Sequence, residues 1–172
     1  MTIRPILIHP DPRLRKVTPV AKDMSDALRA LADDMFDTMY DAPGIGLAAP
    51  QIGAIQRLFV IDCASREAGA DPRPIMMLNP EIVAVSDEVS SYDEGCLSFP
   101  EQYAEVKRPA EVEMRWITRD GTMAQEVFTG IKATCAQHEL DHLNGKLFID
   151  HLGAVKRGMI VNKVRKLKKA RG

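Results

Sequence analysis

The stretch QHELDHLNG, residues 137–145, constrains this sequence more than any other, because a glutamate directly follows the first of two histidines spaced four residues apart. In an α-helix, residues i and i+4 lie on one face, so His138 and His142 can direct one ring nitrogen each at a common ion. Glu139 can reach a water on that ion without ligating it. The alternative is a pair of partly exposed histidines on an amphipathic helix. The flanking apolar residues instead favour a buried helix, where two imidazoles need a partner.

The same motif is typical of zinc peptidases, and the continuation of the sequence tests that interpretation. Gly145 stands where the metzincin pattern has a glycine, but that pattern requires a histidine at the position of Phe148. Other zincins use a downstream glutamate, and this chain has no acidic residue after Asp150. A third protein ligand is therefore expected from upstream of the helix.

The upstream candidates for a third ligand are a carboxylate, one histidine and the cysteines. Cys96 lies in DEGCLSFP, which is predicted to join two strands and can bring a thiolate and backbone N–H groups to one point. A buried inert thiol is equally compatible with that segment. His9 and Cys63 are interpreted as structural residues. Cys135 lies one turn before His138, where a third ligand from the same helix would crowd the ion. The residues alone leave the choice open.

Periodicity predicts helices near the two ends of the chain and strands in the middle. Ser25 suits a helix N-cap, and DAPG at 41–44 ends that helix. GIGLAAPQIG, residues 44–53, has too much glycine and proline for regular structure. A second helix is predicted over 134–144, ended by Gly145. Strands are predicted over 57–62, 75–85, 104–109, 111–118 and 123–130. The fold class is thus α+β, with mainly antiparallel short strands around a central metal-bearing helix, an N-terminal helix and a C-terminal helix.

The C-terminal segment, residues 152–170, is predicted to be a basic amphipathic helix. Its apolar stripe comprises Leu152, Val155, Met159, Ile160, Val164 and Leu167. From His151 to the end there are eight lysines and arginines and no acidic residue, although the net charge of the chain is −1. A localised basic surface can bind a polyanion, so ribosomal RNA is a candidate partner.

Length and composition set the remaining expectations. A chain of 172 residues predicts a single catalytic domain over 1–172, with a core large enough to fold unaided. No apolar run approaches the roughly 18–20 residues of a membrane helix, and the proline-rich start lacks the apolar region of a secretory signal. Three cysteines without framework spacing favour a reducing compartment, so a cytoplasmic location is expected.

Three motifs together resemble those of the peptide deformylase family: GIGLAAPQ at 44–51, EGCLS at 94–98 and QHELDH at 137–142. DPRLR and GKLFIDHL extend the resemblance over essentially the whole chain. The resemblance implies a metal-dependent hydrolase that removes the formyl group from N-formylmethionyl nascent peptides and releases formate. It also implies Fe²⁺ as the metal, with Ni²⁺, Co²⁺ or Zn²⁺ as substitutes of differing activity.

The resemblance implies a role for each residue that matches a motif position. The implied metal ligands are Cys96, His138 and His142, with a water in the fourth position. As hydroxide, that water would attack the formyl carbon, with Glu139 as general base and then general acid. The side-chain amide of Gln51 and the backbone N–H of Leu97 would stabilise the oxyanion.

Further matching positions imply a substrate pocket. The positions near the methionine side chain are Ile45, Gly46, Leu97, Cys135 and His138. Glu94 and Gly95 complete the set of substrate-binding positions. Asp141, on the same helix as the histidines, is expected to serve the structure by pairing with an arginine behind the metal site.

Two other functions are compatible with parts of this sequence. One is a peptidase of the zincin type. The other is a non-enzymatic, metal-stabilised module that binds RNA through its basic tail. A structural metal site is usually closed by four protein ligands, and the sequence offers three, which favours a catalytic centre.

Overall fold

The computed structural model describes residues 2–66 and 69–172. Within them, the α-helices are α1 (Asp26–Asp41), α2 (Gly130–Leu143) and α3 (Ala154–Ala170). The strands are β1 (Gly46–Ala48), β2 (Leu58–Ile61), β3 (Ile75–Val85), β4 (Val89–Cys96), β5 (Phe99–Pro109), β6 (Val112–Ile117) and β7 (Met123–Phe128). Short 3₁₀ helices lie at Pro12–Arg15, Ala49–Ile52, Cys63–Arg66 and Phe148–His151. The predicted α+β class is confirmed.

The strands form two antiparallel sheets. The larger sheet has the order β1-β2-β3-β6-β7, and β4 pairs with β5 in a separate two-stranded sheet. Within the smaller sheet Gly95 pairs with Tyr103, after which the register shifts and Cys96 pairs with Phe99. This shift places the thiol at the tip of a hairpin, where two strands hold it in position.

Helix α2 is the central element of the fold. Ten of its 14 residues are buried. Ala136 and Leu140 share a hydrophobic cluster with Met114, Trp116 and Phe128, which face the helix from β6 and from the end of β7. Because the helix is covered around most of its circumference, each polar side chain on it needs a partner inside the protein.

Helix α1 has the boundaries that its sequence predicts. The hydroxyl of Ser25 accepts a hydrogen bond of 3.2 Å from the backbone N–H of Leu28, which satisfies one of the free donors at the start of the helix. The helix ends at Asp41, and Ala42 caps it. Local capping and periodicity are therefore enough to define this element.

Helix α2 begins at Gly130, four residues before the predicted start, and ends at Leu143. Gly145 follows with a φ of +72°, and a Cβ at this position would lie 2.5 Å from the backbone oxygen of Arg15. Glycine therefore suits this turn both for its backbone angle and for its lack of a side chain. The predicted stop signal is confirmed, and the predicted start is wrong.

Two segments form strands that the sequence does not predict. Part of GIGLAAPQIG forms β1 and the 3₁₀ helix Ala49–Ile52, because pairing with β2 supplies bonds that local propensity does not reveal. The sequence does not predict strand β4, and β5 begins at Phe99, five residues before the predicted strand. Glu94 is the one buried residue of β4, so the strand carries almost no apolar alternation.

Helix α3 confirms the predicted C-terminal helix but only part of its apolar stripe. Ile160 and Val164 are buried in a cluster with Phe99 and Val106 of β5. Val155 and Met159, however, are 78% and 53% exposed, so the first turns of the helix project from the core. Among the described residues no helix is both long enough and apolar enough to span a membrane.

Candidate active site

Helix α2 carries three polar side chains into the interior. His138, Glu139 and His142 are 7%, 4% and 1% exposed. The centroids of the two imidazole rings lie 5.1 Å apart, as the four-residue spacing predicts. Groups of this kind are rarely buried without partners, so their surroundings have to account for them.

Cys96 comes to the two histidines from the tip of the β4–β5 hairpin. Its Sγ lies 3.4 Å from Nε2 of His142. One ligand atom from each of Cys96, His138 and His142 lies within 4.8 Å of the other two. Metal–nitrogen and metal–sulfur bonds measure about 2.0–2.3 Å, so these atoms are close enough to share one ion. Of the upstream candidates, Cys96 is the one that joins the histidines among the described residues.

The surroundings of the imidazoles fit a divalent transition metal. Nδ1 of His138 lies 2.9 Å from Oε1 of Glu94, and the other nitrogen of the ring is left for Cys96. Within the described part of the chain, the buried Nδ1 of His142 has no hydrogen-bond partner. A thiolate with two imidazoles suits iron, cobalt, nickel or zinc better than a hard cation such as Mg²⁺.

Burial and hydrogen bonding push the pKa values of the two histidines apart. Burial lowers the pKa of His142 well below its ordinary value. Burial also acts to lower the pKa of His138, but hydrogen bonds with Cys96 and Glu94 raise it well above its ordinary value. The same desolvation would raise the pKa of Glu94, yet its hydrogen bonds with His138 and Arg108 hold it at about 2. Glu94 is therefore an anion against which the ring of His138 is oriented.

Glu139 has a carboxyl oxygen without a partner beside this cluster. Its Oε2 is buried and makes no hydrogen bond within the residues that the structure describes. Burial raises the pKa of Glu139 to about 7. A carboxyl group with a pKa near neutrality can both accept and return a proton, as general acid–base catalysis requires.

Gln51 lies beside Cys96, and hydrogen bonds fix both ends of its side-chain amide. It is 1% exposed. Its Oε1 accepts a hydrogen bond of 2.9 Å from the backbone N–H of Ala48. Its Nε2 donates to Ser98 Oγ at 3.1 Å and to Cys96 Sγ at 3.5 Å. The amide N–H groups are thus fixed beside the thiol, which is the arrangement that a preorganised donor needs.

A cavity of about 530 Å³ opens onto the site. Its wall includes every substrate-binding position inferred from the motifs, namely Ile45, Gly46, Glu94, Gly95, Leu97, Cys135 and His138. Gly46 has no room for a side chain, because a Cβ would lie 2.6 Å from Oε1 of Glu139 and 2.9 Å from Sγ of Cys135. The thiol of Cys135 in turn donates to the backbone oxygen of Ile45 at 3.6 Å.

Comparison with known proteins decides the family. The polypeptide deformylase family model matches residues 3–158. The peptide deformylase of Agrobacterium fabrum is 51% identical over 171 residues, which cover 99% of each chain. The chain belongs to the peptide deformylase family. Its enzymes are hydrolases that remove formyl groups, and this chain is accordingly an enzyme of that class.

Solved peptide deformylases have the same fold. The crystal structure from Legionella pneumophila matches with a TM-score of 0.91 at 44% identity, covering 99% of this chain and 98% of that one. The structure from Ehrlichia chaffeensis in complex with actinonin matches with a TM-score of 0.91 at 34% identity, covering 96% and 98%. The peptide deformylase fold therefore extends over nearly the whole chain.

Residues outside the deformylase motifs complete the site, and the sequence did not single them out. Further residues of the cavity wall come from the N-terminal segment, from β5 and from the C-terminus: Ile6, Ile8, Tyr103 and Arg171. Arg108 forms ion pairs with both Glu94 and Asp141. The expected pairing of Asp141 with an arginine is thus confirmed. The inward alternation of Ala104, Val106 and Arg108 along a predicted strand was a signal that could have identified Arg108.

The other metal-ligand candidates have structural surroundings in this deformylase fold. The ring of His9 stacks on Phe99 with the centroids 4.9 Å apart. Cys63 packs against the cluster between α2 and the larger sheet. Glu94 lies at the edge of the cavity with both carboxylate oxygens engaged. Its contact with substrate stays a prediction.

Proposed function

We propose that this chain removes the formyl group from N-formylmethionyl peptides, with Cys96, His138 and His142 holding one Fe²⁺ ion. The observation that carries the proposal is the convergence of these three side chains beside the partner-free oxygen of Glu139, at the wall of a cavity that can admit a peptide end. Three protein ligands leave a position for water, which is the arrangement of a catalytic rather than a structural centre.

The proposed chemistry divides between the metal and the chain. When bound, the metal supplies a Lewis acid that polarises a carbonyl and lowers the pKa of water. Glu139 accepts the proton of the attacking water at Oε2 and later returns it to the amine nitrogen as the carbon–nitrogen bond breaks. The amide of Gln51 and the backbone N–H of Leu97 donate to the carbonyl oxygen as negative charge develops on it.

The cavity supports methionine as the first residue of the substrate. Ile45, Leu97 and Cys135 give the wall apolar surface, which suits an unbranched thioether side chain. Gly46 allows that surface to approach Glu139 closely, because it has no Cβ. The methionine would therefore hold the formyl group next to the carboxylate that moves the proton.

The identity of the metal is part of the proposal. Thiolate and imidazole ligands bind several divalent ions, and their geometry does not rank them. We propose Fe²⁺ on the basis of the motif resemblance, with Ni²⁺, Co²⁺ or Zn²⁺ able to substitute. Freshly prepared iron enzyme should then lose activity in air, whereas nickel or cobalt enzyme should keep it.

The basic helix α3 supports a proposal about where the enzyme works. The chain would act as one catalytic domain over 1–172, in the cytoplasm, where its three free thiols stay reduced. Lys156, Lys163, Lys166 and Lys168 are exposed on α3, a surface suited to ribosomal RNA close to emerging formylated chains.

The direct test of this function measures two products from two peptides. Enzyme loaded with Fe²⁺ or Co²⁺ is given formyl-Met-Ala-Ser in one assay. In a second assay it is given unformylated peptides that contain the sequence Met-Ala-Ser. The proposal predicts formate from the first and no internal cleavage of the second. Internal cleavage would instead indicate a peptidase of the zincin type. Metal binding without formate release would indicate a non-enzymatic module.

A further inference from the structure

Arg108 is a buried arginine that lies outside the three sequence motifs. It is the penultimate residue of β5, and its side chain is 5% exposed. Alternation along β5 turns it toward the interior together with Gln102, Ala104 and Val106. Removing a guanidinium group from water is costly, so the contacts that it makes in the interior have to offset that cost.

Arg108 makes three charged hydrogen bonds to two carboxylates. Its Nε donates to Glu94 Oε2 at 2.7 Å, and its Nη2 donates to Glu94 Oε1 at 3.0 Å. Its Nη1 donates to Asp141 Oδ2 at 2.9 Å. Two side-by-side bonds between a guanidinium and a carboxylate fix the plane of the carboxylate as well as its position.

The carboxylate that Arg108 orients is the one that contacts His138. Oε1 of Glu94 lies 2.9 Å from Nδ1 of His138, and 4% of the Glu94 side chain is exposed. An imidazole that gives its Nδ1–H to a carboxylate keeps the lone pair of Nε2 for an ion, and partners of this kind set metal affinity. The contact between Arg108 and Glu94 therefore lies one hydrogen bond away from the imidazole ring of His138.

We infer that Arg108 is a positioning residue for the metal ligand His138 and acts on it through Glu94. The inference rests on the proposed metal site of Cys96, His138 and His142. It assigns separate tasks to the two ends of the guanidinium group. The end that binds Glu94 sets the orientation of the imidazole, and the end that binds Asp141 anchors α2.

A purely structural role is the competing explanation. Asp141 also lies 2.9 Å from Nε2 of His151, which belongs to the 3₁₀ helix that precedes α3. Arg108 thus contributes to a tie between β5, α2 and the C-terminal segment, and loss of that tie would lower stability without touching the metal. Stability and metal binding therefore have to be measured on the same samples.

The first experiment titrates Co²⁺ into metal-free Arg108→Lys, which keeps the charge but cannot form two side-by-side bonds to one carboxylate. We expect Co²⁺ affinity to fall about 10–100-fold, as for other partners of metal-bound histidines. We also expect the absorption spectrum of the Co²⁺ complex to change. Arg115→Lys is the matched control, because Arg115 pairs with Glu81 at the surface. Affinity within about threefold of the parent, with an unchanged spectrum, would overturn the inference.

The second experiment asks whether Arg108 acts through Glu94. Glu94→Gln should itself weaken Co²⁺ binding, and Arg108→Lys should then cost little more in that background. If the two substitutions instead lower Co²⁺ affinity by independent factors that multiply in the double variant, Arg108 acts by another route and the inference is overturned. If Arg108→Lys does not fold, Glu94→Gln is compared with the neutral double variant Arg108→Met/Glu94→Gln. Equal Co²⁺ affinities support the inference, and a further tenfold loss contradicts it.

Co²⁺ titration of the parent protein distinguishes failure of this inference from failure of the proposed metal site. If the metal site itself is wrong, the parent binds no Co²⁺ with the near-ultraviolet absorption of a cobalt–thiolate bond. If only the role of Arg108 is wrong, the parent shows that absorption and Arg108→Lys shows it with equal affinity. The two failures therefore give different titrations.

Discussion

Helices α2 and α3 have similar lengths but meet the rest of the molecule in opposite ways. Ten of the 14 residues of α2 are buried, whereas Ile160 and Val164 are the buried residues of the 17-residue α3. The inner helix carries His138, Glu139 and His142 in buried positions. The outer helix carries lysines and arginines that face solvent.

Under the proposals made above, this difference separates the chemistry of α2 from the recognition of RNA by α3. On α2, His138 and Asp141 are held by neighbours and His142 is directed at the proposed metal, because an unpaired buried group costs roughly 1–3 kcal/mol. On α3, exposed cations remain free to meet a polyanion, and their loss costs the fold little. Substitutions of the site residues on the inner helix should therefore change the reaction, and substitutions on the outer face of α3 should not.

The largest expected effect comes from a ligand on the inner helix. His142→Ala removes one of three proposed metal ligands, so bound metal should be lost and formate release should fall to the level of metal-free protein. Metal content by elemental analysis checks the first result, and a formate assay checks the second. His151→Ala, on an exposed histidine outside the proposed ligand set, should keep the metal. A His142→Ala protein with full metal content would contradict the assignment of His142 as a metal ligand.

The next effect tests the close packing around α2. In Gly46→Ala the new Cβ would lie 2.6 Å from Oε1 of Glu139, so the carboxylate must shift. A displacement of about 1 Å in a reacting group can cost about 100-fold in rate, and we expect a loss of that order in kcat. Gly158→Ala is the control, because a Cβ there meets nothing within 4 Å. Equal kcat values for the two variants would show that the tight contact has no catalytic consequence.

A smaller effect should separate anchoring from metal binding on the same helix. Asp141→Asn weakens charged hydrogen bonds to Arg108 and His151. We expect the free energy of unfolding to fall by about 1–3 kcal/mol, while Co²⁺ affinity changes by only a few-fold. Asp33→Asn, in an exposed pair with Arg119, should cost at most about 1 kcal/mol. Selective loss of Co²⁺ affinity in a stable Asp141→Asn protein would contradict this assignment.

The smallest effect on catalysis is expected on the outer helix. The double charge reversal Lys163→Glu/Lys166→Glu should leave turnover of small formylated peptides within about twofold. If α3 contacts ribosomal RNA, ribosome binding should weaken, and each lost phosphate contact should reduce the salt slope by about one. Lys22→Glu, an exposed lysine elsewhere, is the control. Unchanged ribosome binding by the double variant would contradict the docking proposal.

Charge reversal is a cleaner test of docking than truncation of α3. A chain that ends at Arg157 would also lose Ile160 and Val164, which pack against Phe99 and Val106. Truncation would therefore mix loss of charge with loss of core packing. Charge reversal leaves this packing in place and therefore tests the charges alone.

Features encoded by local spacing could be predicted from the sequence. The cap at Ser25 and the shared face of His138 and His142 follow from helix geometry within one or two turns. Gly145 is also recognisable, because the end of a helix favours glycine. Each of these features depends on residues that are close together in the sequence, so the local sequence is enough to predict it.

Features encoded by distant contacts could not be predicted in the same way. Strand β4 has no apolar alternation, because its inner residue Glu94 is satisfied by Arg108 and His138. The local sequence favours Cys96 over Cys63, because Cys96 lies in the glycine- and proline-containing segment DEGCLSFP, but only its motif assigns it as the third ligand. Val155 on α3 is exposed although it belongs to the predicted apolar stripe. Periodicity predicts which residues share a helix face, but it does not predict whether another element covers that face.

The most direct test of the account is made on one Glu139→Ala sample. The three proposed ligands remain, so metal content should equal that of the parent, and formate release should fall about 10²–10⁴-fold because the general base is gone. Glu88→Ala, which removes an exposed carboxylate, is the control and should keep both properties. Metal retained together with near-normal formate release would contradict the account, because it would leave the attacking water without a base.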